Sequence, residues 1–217
     1  MPPKPMLTRE DAAAAALAII KEGGISALTA RELGKRLGTS ASPIFTVFRN
    51  MDEVKQAARE LAFAEFSGFI SDYREYTPAF KRIGVMMVMY GMNQPELFKL
   101  LFMQEHKETG FTGTLSDFGE LAQVCRELIQ RDYELSEEEA AVMLEQMWTH
   151  AFGLGAMCAM GVCRLTEEEI GRRLGMAFAG VIMLIRSGKQ GEIYSDTDNH
   201  TNGTYHGQRL GEIPFKP

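Results

Sequence analysis

The chain has 217 residues, 45% of them apolar, enough to bury a sizeable core in one large domain or in a small domain joined to a larger one. No stretch reaches the ~18 uncharged apolar residues of a membrane helix. Met1 to Leu7 hold three prolines and no apolar run, so no secretory signal is expected. Cys125, Cys158 and Cys163 fit neither a zinc spacing nor a disulfide framework, so the expected address is the cytoplasm. The net charge of −6 speaks against a polyanionic partner. Its distribution points the other way: residues 1–60 carry nine Lys and Arg against seven Asp and Glu, whereas residues 61–217 carry fourteen against twenty-two. A mildly basic head on an acidic body suits a small nucleic-acid module.

Helical periodicity runs throughout and nothing alternates with period 2 between hairpin turns, so the chain reads as all-α. The first helix opens at Thr8, with Asp11 at the capping-box position, buries Ala13, Ala16, Leu17 and Ile20, and stops at Gly23-Gly24. The second opens with a capping box, Thr29 and Glu32, turns Leu33, Gly34 and Leu37 inward, and ends at Gly38. After Thr39 and Ser40, a third stripe appears at Ala41, Ile44, Phe45 and Phe48. A longer helix is expected from Asn50–Asp52 to about Tyr73, with Phe66, Phe69, Ile70 and Tyr73 on one side. Thr77-Pro78 restarts the chain as cap and first turn, Ile83, Met86, Met87 and Tyr90 mark the next stripe, and Pro95 to Gln104 forms a short apolar helix. Phe118, Ala122, Cys125 and Ile129 define another. Two long helices follow, capped by Ser136 with Glu139 and Thr166 with Glu169.

From Met147 to Val162 the residues are apolar or small nearly all round, which calls for cover on more than one side. Either a subunit interface or a central place in a monomer core supplies it. Leu174, Ala177, Phe178 and Val181 form the inward stripe of the last helix. Beyond Ser187 the composition is too polar to order itself, and 188–217 reads as a flexible tail. The domains expected are thus a three-helix head over 1–50, a helical body over 51–187 and that tail.

A helix, a tight turn at Gly38 and a second helix with a short polar outer face form the arrangement that enters a major groove. With Ile44, Phe45 and Phe48 turned inward, Thr39, Ser40, Ser42, Pro43, Thr46 and Arg49 face outward, small or able to hydrogen-bond to bases. A three-helix packing motif without DNA binding has the same periodicity.

The run LTREDAAAAALAIIKEGGISALTARELGKRLGTSASPIFTVFRNMDEV resembles the DNA-binding region of TetR-family regulators. About 45 residues agree in order and spacing: an Ala-rich first helix, a G-G-x-x-x-L-T connection, an E-L-G-x-x-L-G helix and an S-x-x-x-I-F-x-x-F-x-N recognition segment. The resemblance implies a homodimer on a double-stranded DNA operator, with Thr29 a phosphate contact and Ser40, Ser42, Pro43 and Thr46 nearest the bases. Three positions depart from the pattern. Phe45 stands where a phosphate-contacting Tyr is usual, Val47 where His is common, and Met51 where a Lys typically meets the backbone; Lys4, Arg9, Arg31, Arg36 and Arg49 are the residues expected to compensate.

For the body, the resemblance implies dimerisation through the last two long helices and a pocket for a small, largely apolar effector. The side chains expected to line it are Met86, Tyr90, Phe98, Phe102, Trp148, His150 and Phe152. No catalytic residue, metal site or cofactor is expected. The chain has no phosphate-binding Gly loop, G-x-S-x-G or HExxH, and the acidic runs Glu137–Glu139 and Glu167–Glu169 lie in first turns, where carboxylates favour the helix dipole. The competing reading is a dimeric interaction or ligand-carrying protein of the same shape with weak DNA affinity, motivated by Phe45, Val47, Met51 and the acidic charge.

Overall fold

A computed structural model describes residues 7–104, 115 and 118–188. Among them are nine α-helices and no strand: α1 (Arg9–Gly23), α2 (Ala30–Arg36), α3 (Ile44–Val47), α4 (Met51–Phe69), α5 (Ala79–Asn93), α6 (Pro95–Phe102), α7 (Glu120–Tyr133), α8 (Glu137–Ala159) and α9 (Glu167–Arg186), with 3-10 turns at Ile25–Ala27 and Ser71–Glu75. By their contacts the residues form two compact units, Met1–Phe178 and Ala179–Pro217. Apart from Gly188, the expected tail lies outside the described residues, as does Lys4. No helix among the described residues is long and apolar enough to cross a membrane.

The helix starts follow their local chemistry. The Thr8 hydroxyl accepts from the Asp11 amide, Thr29 from Glu32 and Asn50 from Glu53, each satisfying an otherwise orphaned donor. Ser136 with Glu139 and Thr166 with Glu169 make full reciprocal capping boxes. At Thr29 only the half of the expected box made by the threonine hydroxyl is present among the described residues, and the Glu32 carboxylate lies 3.7 Å from Lys35. At Pro78 the expectation also shifts by one residue: Pro78 is itself the N-cap of α5, and no side chain caps that end. The linking helix ends at Phe69 rather than Tyr73, its last carbonyls taken by a 3-10 turn.

Burial of Ala12, Ala16, Ile20, Leu33, Ile44, Phe48 and Val54 makes the core of the head. In the body, α5 and α8 cross at Gly91 and Gly155, where a Cβ on Gly91 would sit 2.5 Å from the Gly155 carbonyl oxygen. A Cβ on Gly155 would in turn meet the Phe98 ring at 2.7 Å. Part of the small-residue stretch of α8 is therefore used inside the protomer. The far end of the same stretch is not, since Met157, Met160 and Val162 are exposed.

Arg82 ties three elements together. It donates to Asp72 at 2.7 Å and to Glu167 at 2.6 Å and lies 4.2 Å over the Tyr76 ring. The hydrogen bonds to Asp72 hold its pKa above the usual guanidinium value. Because Arg82 is nearly enclosed, Arg82→Met is expected to leave Asp72 without its partner and to lower stability by about 2 kcal/mol, measured by denaturant unfolding.

Candidate functional site

Two features carry chemistry: the outer face of the α2–α3 turn and a cavity in the body. The turn is built on glycine. Gly38, at φ +65°, donates to the Lys35 carbonyl, and Thr39 donates to the Gly34 carbonyl at 2.9 Å, a Schellman closure that reverses the chain after α2. Gly34 is needed because the returning backbone lies against it; a Cβ there would sit 3.0 Å from the carbonyl of Ser40. Ile44 and Phe48, four apart, then anchor α3 in the head core.

Ser40, Ser42 and Thr46 are exposed, Thr39 and Pro43 half-buried, and Arg49 wholly at the surface. These residues share one outer surface of a short helix, with Thr46 Oγ1 donating to the Pro43 carbonyl at 2.7 Å. Pro43 caps α3 in helical geometry, so the regular helix opens at Ile44, two residues after Ser42. Phe45 corrects an expectation. It is 43% exposed and not part of the inward stripe, because a four-residue helix turns only one narrow arc inward and Ile44 and Phe48 fill it.

The nearby cations are differently placed. Arg9 lies 4.3 Å over the Phe48 ring, donates to the Val47 carbonyl at 3.2 Å and sits 3.7 Å from Glu53. It thus clamps the end of α3 to α1 and α4. Arg9→Ala is expected to cost about 1 kcal/mol of stability in thermal unfolding, from the lost cation–π and hydrogen-bond contacts. Arg36 is paired with Glu22, which holds that carboxyl below its ordinary range. Arg49 touches Glu53 at 3.5 Å while staying 90% exposed. Arg31 is exposed and makes no ion pair among the described residues. Of the four compensating residues that lie among the described ones, Arg31 and Arg49 are those the head leaves most exposed to a phosphate.

The cavity holds about 300 Å³ and is walled by α5, α7, α8 and the middle of α9. Phe80, Ile83 and Met87 face Ala122, Cys125 and Tyr133, with Leu144, Met147, Trp148 and Ala151 along a third side and Leu174 and Phe178 closing it. Phe118 and Trp148 meet edge to face at 4.0 Å on its wall. Among the described residues Lys81 is the only charged one lining it. Burial pushes the Cys125 thiol up to about 12, so this sulfur is an apolar wall group and not a thiolate.

Among the side chains expected to line the pocket, the structure brings only Trp148 to this cavity. Tyr90 and Phe98 are sealed in an aromatic core with Phe66, Phe102 and Phe152. Met86 is buried on the face of α5 away from Met87. His150 is exposed, its Nδ1 2.8 Å from the Gln146 carbonyl, because Leu144, Met147, Trp148 and Ala151 occupy the inner arc of α8. Ala122, Cys125, Tyr133 and Leu174 are wall residues that reading the sequence missed. Their spacing is that of any buried helical stripe.

Cavity and head are joined by α6. Phe102 stacks on Phe118 at 5.4 Å and meets Trp148 at 5.7 Å on one side and Phe66 of α4 at 5.2 Å on the other. Arg59 of α4 donates to the Leu101 carbonyl at 3.0 Å. Glu96, at the start of α6, lies so close to the turn after α1 that a Cβ on Gly24 would meet its carboxylate at 2.6 Å.

Compared with known proteins, residues 13–58 match the family model described as bacterial regulatory proteins, tetR family. The match spans most of α1, the whole turn and the first part of α4. No curated protein matches the chain.

Proposed function

From the match of residues 13–58 to the family model of bacterial regulatory proteins, tetR family, we propose that this chain is a homodimeric transcriptional repressor whose release from its operator follows occupation of the body cavity by a small, largely apolar effector. The observation that carries the reading is the exposed, small polar surface of Ser40, Ser42 and Thr46 on a turn held rigid by Gly34 and Gly38. A helix so presented approaches base edges, with Thr29, Arg31, Thr39, Pro43 and Arg49 around it for the sugar-phosphate backbone. Dimerisation is assigned to α8 and α9, where Met157 on α8, Met160 just past its end and Met176 on α9 expose apolar surface. Two recognition helices in a dimer read half-sites about 34 Å apart.

Effector action follows from the aromatic path through α6. A ligand against Trp148 and Phe118 displaces Phe102, and α6 transmits the shift to α4 through Phe66 and Arg59 and to the end of α1 through Glu96. The ligand acts only by its preference for one of the two resulting arrangements.

The test is binding of the purified protein to DNA fragments from its own upstream region across a salt series. Selective, saturable binding that weakens with salt, and that falls in Thr46→Ala and Arg49→Ala, is the expected result. Phe45→Tyr supplies the hydroxyl usual at that position on an exposed ring, and is expected to tighten binding about fivefold through one added phosphate hydrogen bond. Absence of binding at low salt would favour the interaction module, for which the exposed apolar Phe45 is the motivating observation.

A further inference from the structure

Cys158 and Cys163 are five residues apart, a spacing that on a continuous helix puts side chains on different edges. The structure nonetheless holds their sulfurs 3.9 Å apart. The cause is the way α8 ends. Gly161, at φ +72°, donates to the Cys158 carbonyl at 3.0 Å and Val162 donates to the Met157 carbonyl at 2.9 Å, a Schellman closure that folds the chain back over the last turn. Cys163 is thereby laid on Cys158, at the connection between α8 and α9.

We infer that Cys158 and Cys163 form a dithiol site that peroxide oxidises to an intramolecular disulfide. Cys163 is the more accessible of the two, so its thiolate attacks the peroxide, giving a sulfenic acid and releasing water or an alcohol. The Cys158 sulfur, as thiolate, then attacks the sulfenic sulfur and a second water leaves; two thiols are oxidised, one peroxide is reduced, and the O–O bond is the one broken. The sulfurs must close by roughly 1.9 Å to reach a bond of ~2.05 Å, a movement that a rotation about the two Cα–Cβ bonds and a small shift of the turn provide. Burial, and after it the neighbouring thiol, raises Cys158, which disfavours it as the first attacking thiolate. Cys125 is buried, protonated and walled into the cavity, so it stays out of the reaction.

The experiment treats the reduced full chain with hydrogen peroxide and counts thiols after unfolding, with peptide mapping of the linkage. The expected result is a fall from three thiols to one, restored by dithiothreitol, with Cys158 linked to Cys163 within a single chain. Cys125→Ser is expected to lose the same two thiols. In Cys158→Ser, Cys163 is expected to stop at a sulfenic acid that a dimedone trap captures. Gly161→Val keeps both cysteines but disfavours the turn, and is expected to slow disulfide formation at least about fivefold. Free methionine added to the reaction calibrates the dose: retention of all three thiols under conditions that convert it to the sulfoxide would overturn the inference. A cross-link between chains in place of the internal one would do the same. No arm of the test involves DNA, so its outcome is independent of the operator-binding result.

Discussion

Gly91→Ala is expected to lower the melting temperature by about 10 °C, corresponding to a loss of about 3 kcal/mol. The methyl group meets a backbone oxygen rather than the end of a flexible side chain, since the Gly155 carbonyl lies 2.5 Å from its position. Relief requires α5 and α8 to separate along the crossing that packs the body core. Gly153→Ala is the control on α8. Among the described residues nothing lies within 4 Å of a Cβ at Gly153, so alanine there removes a helix-interior glycine without a clash and is expected to raise stability by about 0.5 kcal/mol. Opposite signs for two Gly→Ala changes would identify the crossing as the cause. A decrease of equal size in both would refute it.

Gly34→Val is expected to abolish selective DNA binding, with a loss of about two orders of magnitude in affinity, while leaving the body folded. Valine brings two more carbons towards the Ser40 carbonyl and the Thr39 oxygen, 3.0 and 3.1 Å from a Cβ at this position. The turn must move outward, taking α3 with it and misplacing contacts that fix register on the duplex. Electrophoretic mobility shift and circular dichroism on the same preparation check this. Retained affinity with native helicity would show that α3 reaches DNA in another geometry.

The starts and stops of helices were legible in the sequence because their chemistry is local. Thr8, Thr29, Asn50, Ser136 and Thr166 accept from amides three residues ahead, and Gly24 and Gly38 reverse the chain with positive φ. The outward surface of the head was legible for a related reason: once Ile44 and Phe48 are inward, Ser42 and Thr46 have one place to go. Phe45 was misassigned because hydrophobicity outweighed the narrow arc of so short a helix. The cavity was not legible. Met86 and Met87 have equal apolarity and adjoining positions, yet one packs in the core and the other lines the void. Whether a buried stripe meets atoms or empty space depends on the helices opposite it, and single-chain periodicity carries no information about them. The approach of Cys158 and Cys163 was hidden likewise, since it depends on the reversal at Gly161.

Trp148 is the only tryptophan in the chain, and it stands on the cavity wall in edge contact with Phe118. The protein therefore contains its own optical reporter at the one place where an effector is proposed to sit. Emission excited selectively at the indole arises from a single environment, and any molecule entering the cavity alters its polarity or quenching directly, without labels. Compounds are thus screened against the native chain by a change in intensity or wavelength, before an operator sequence is known.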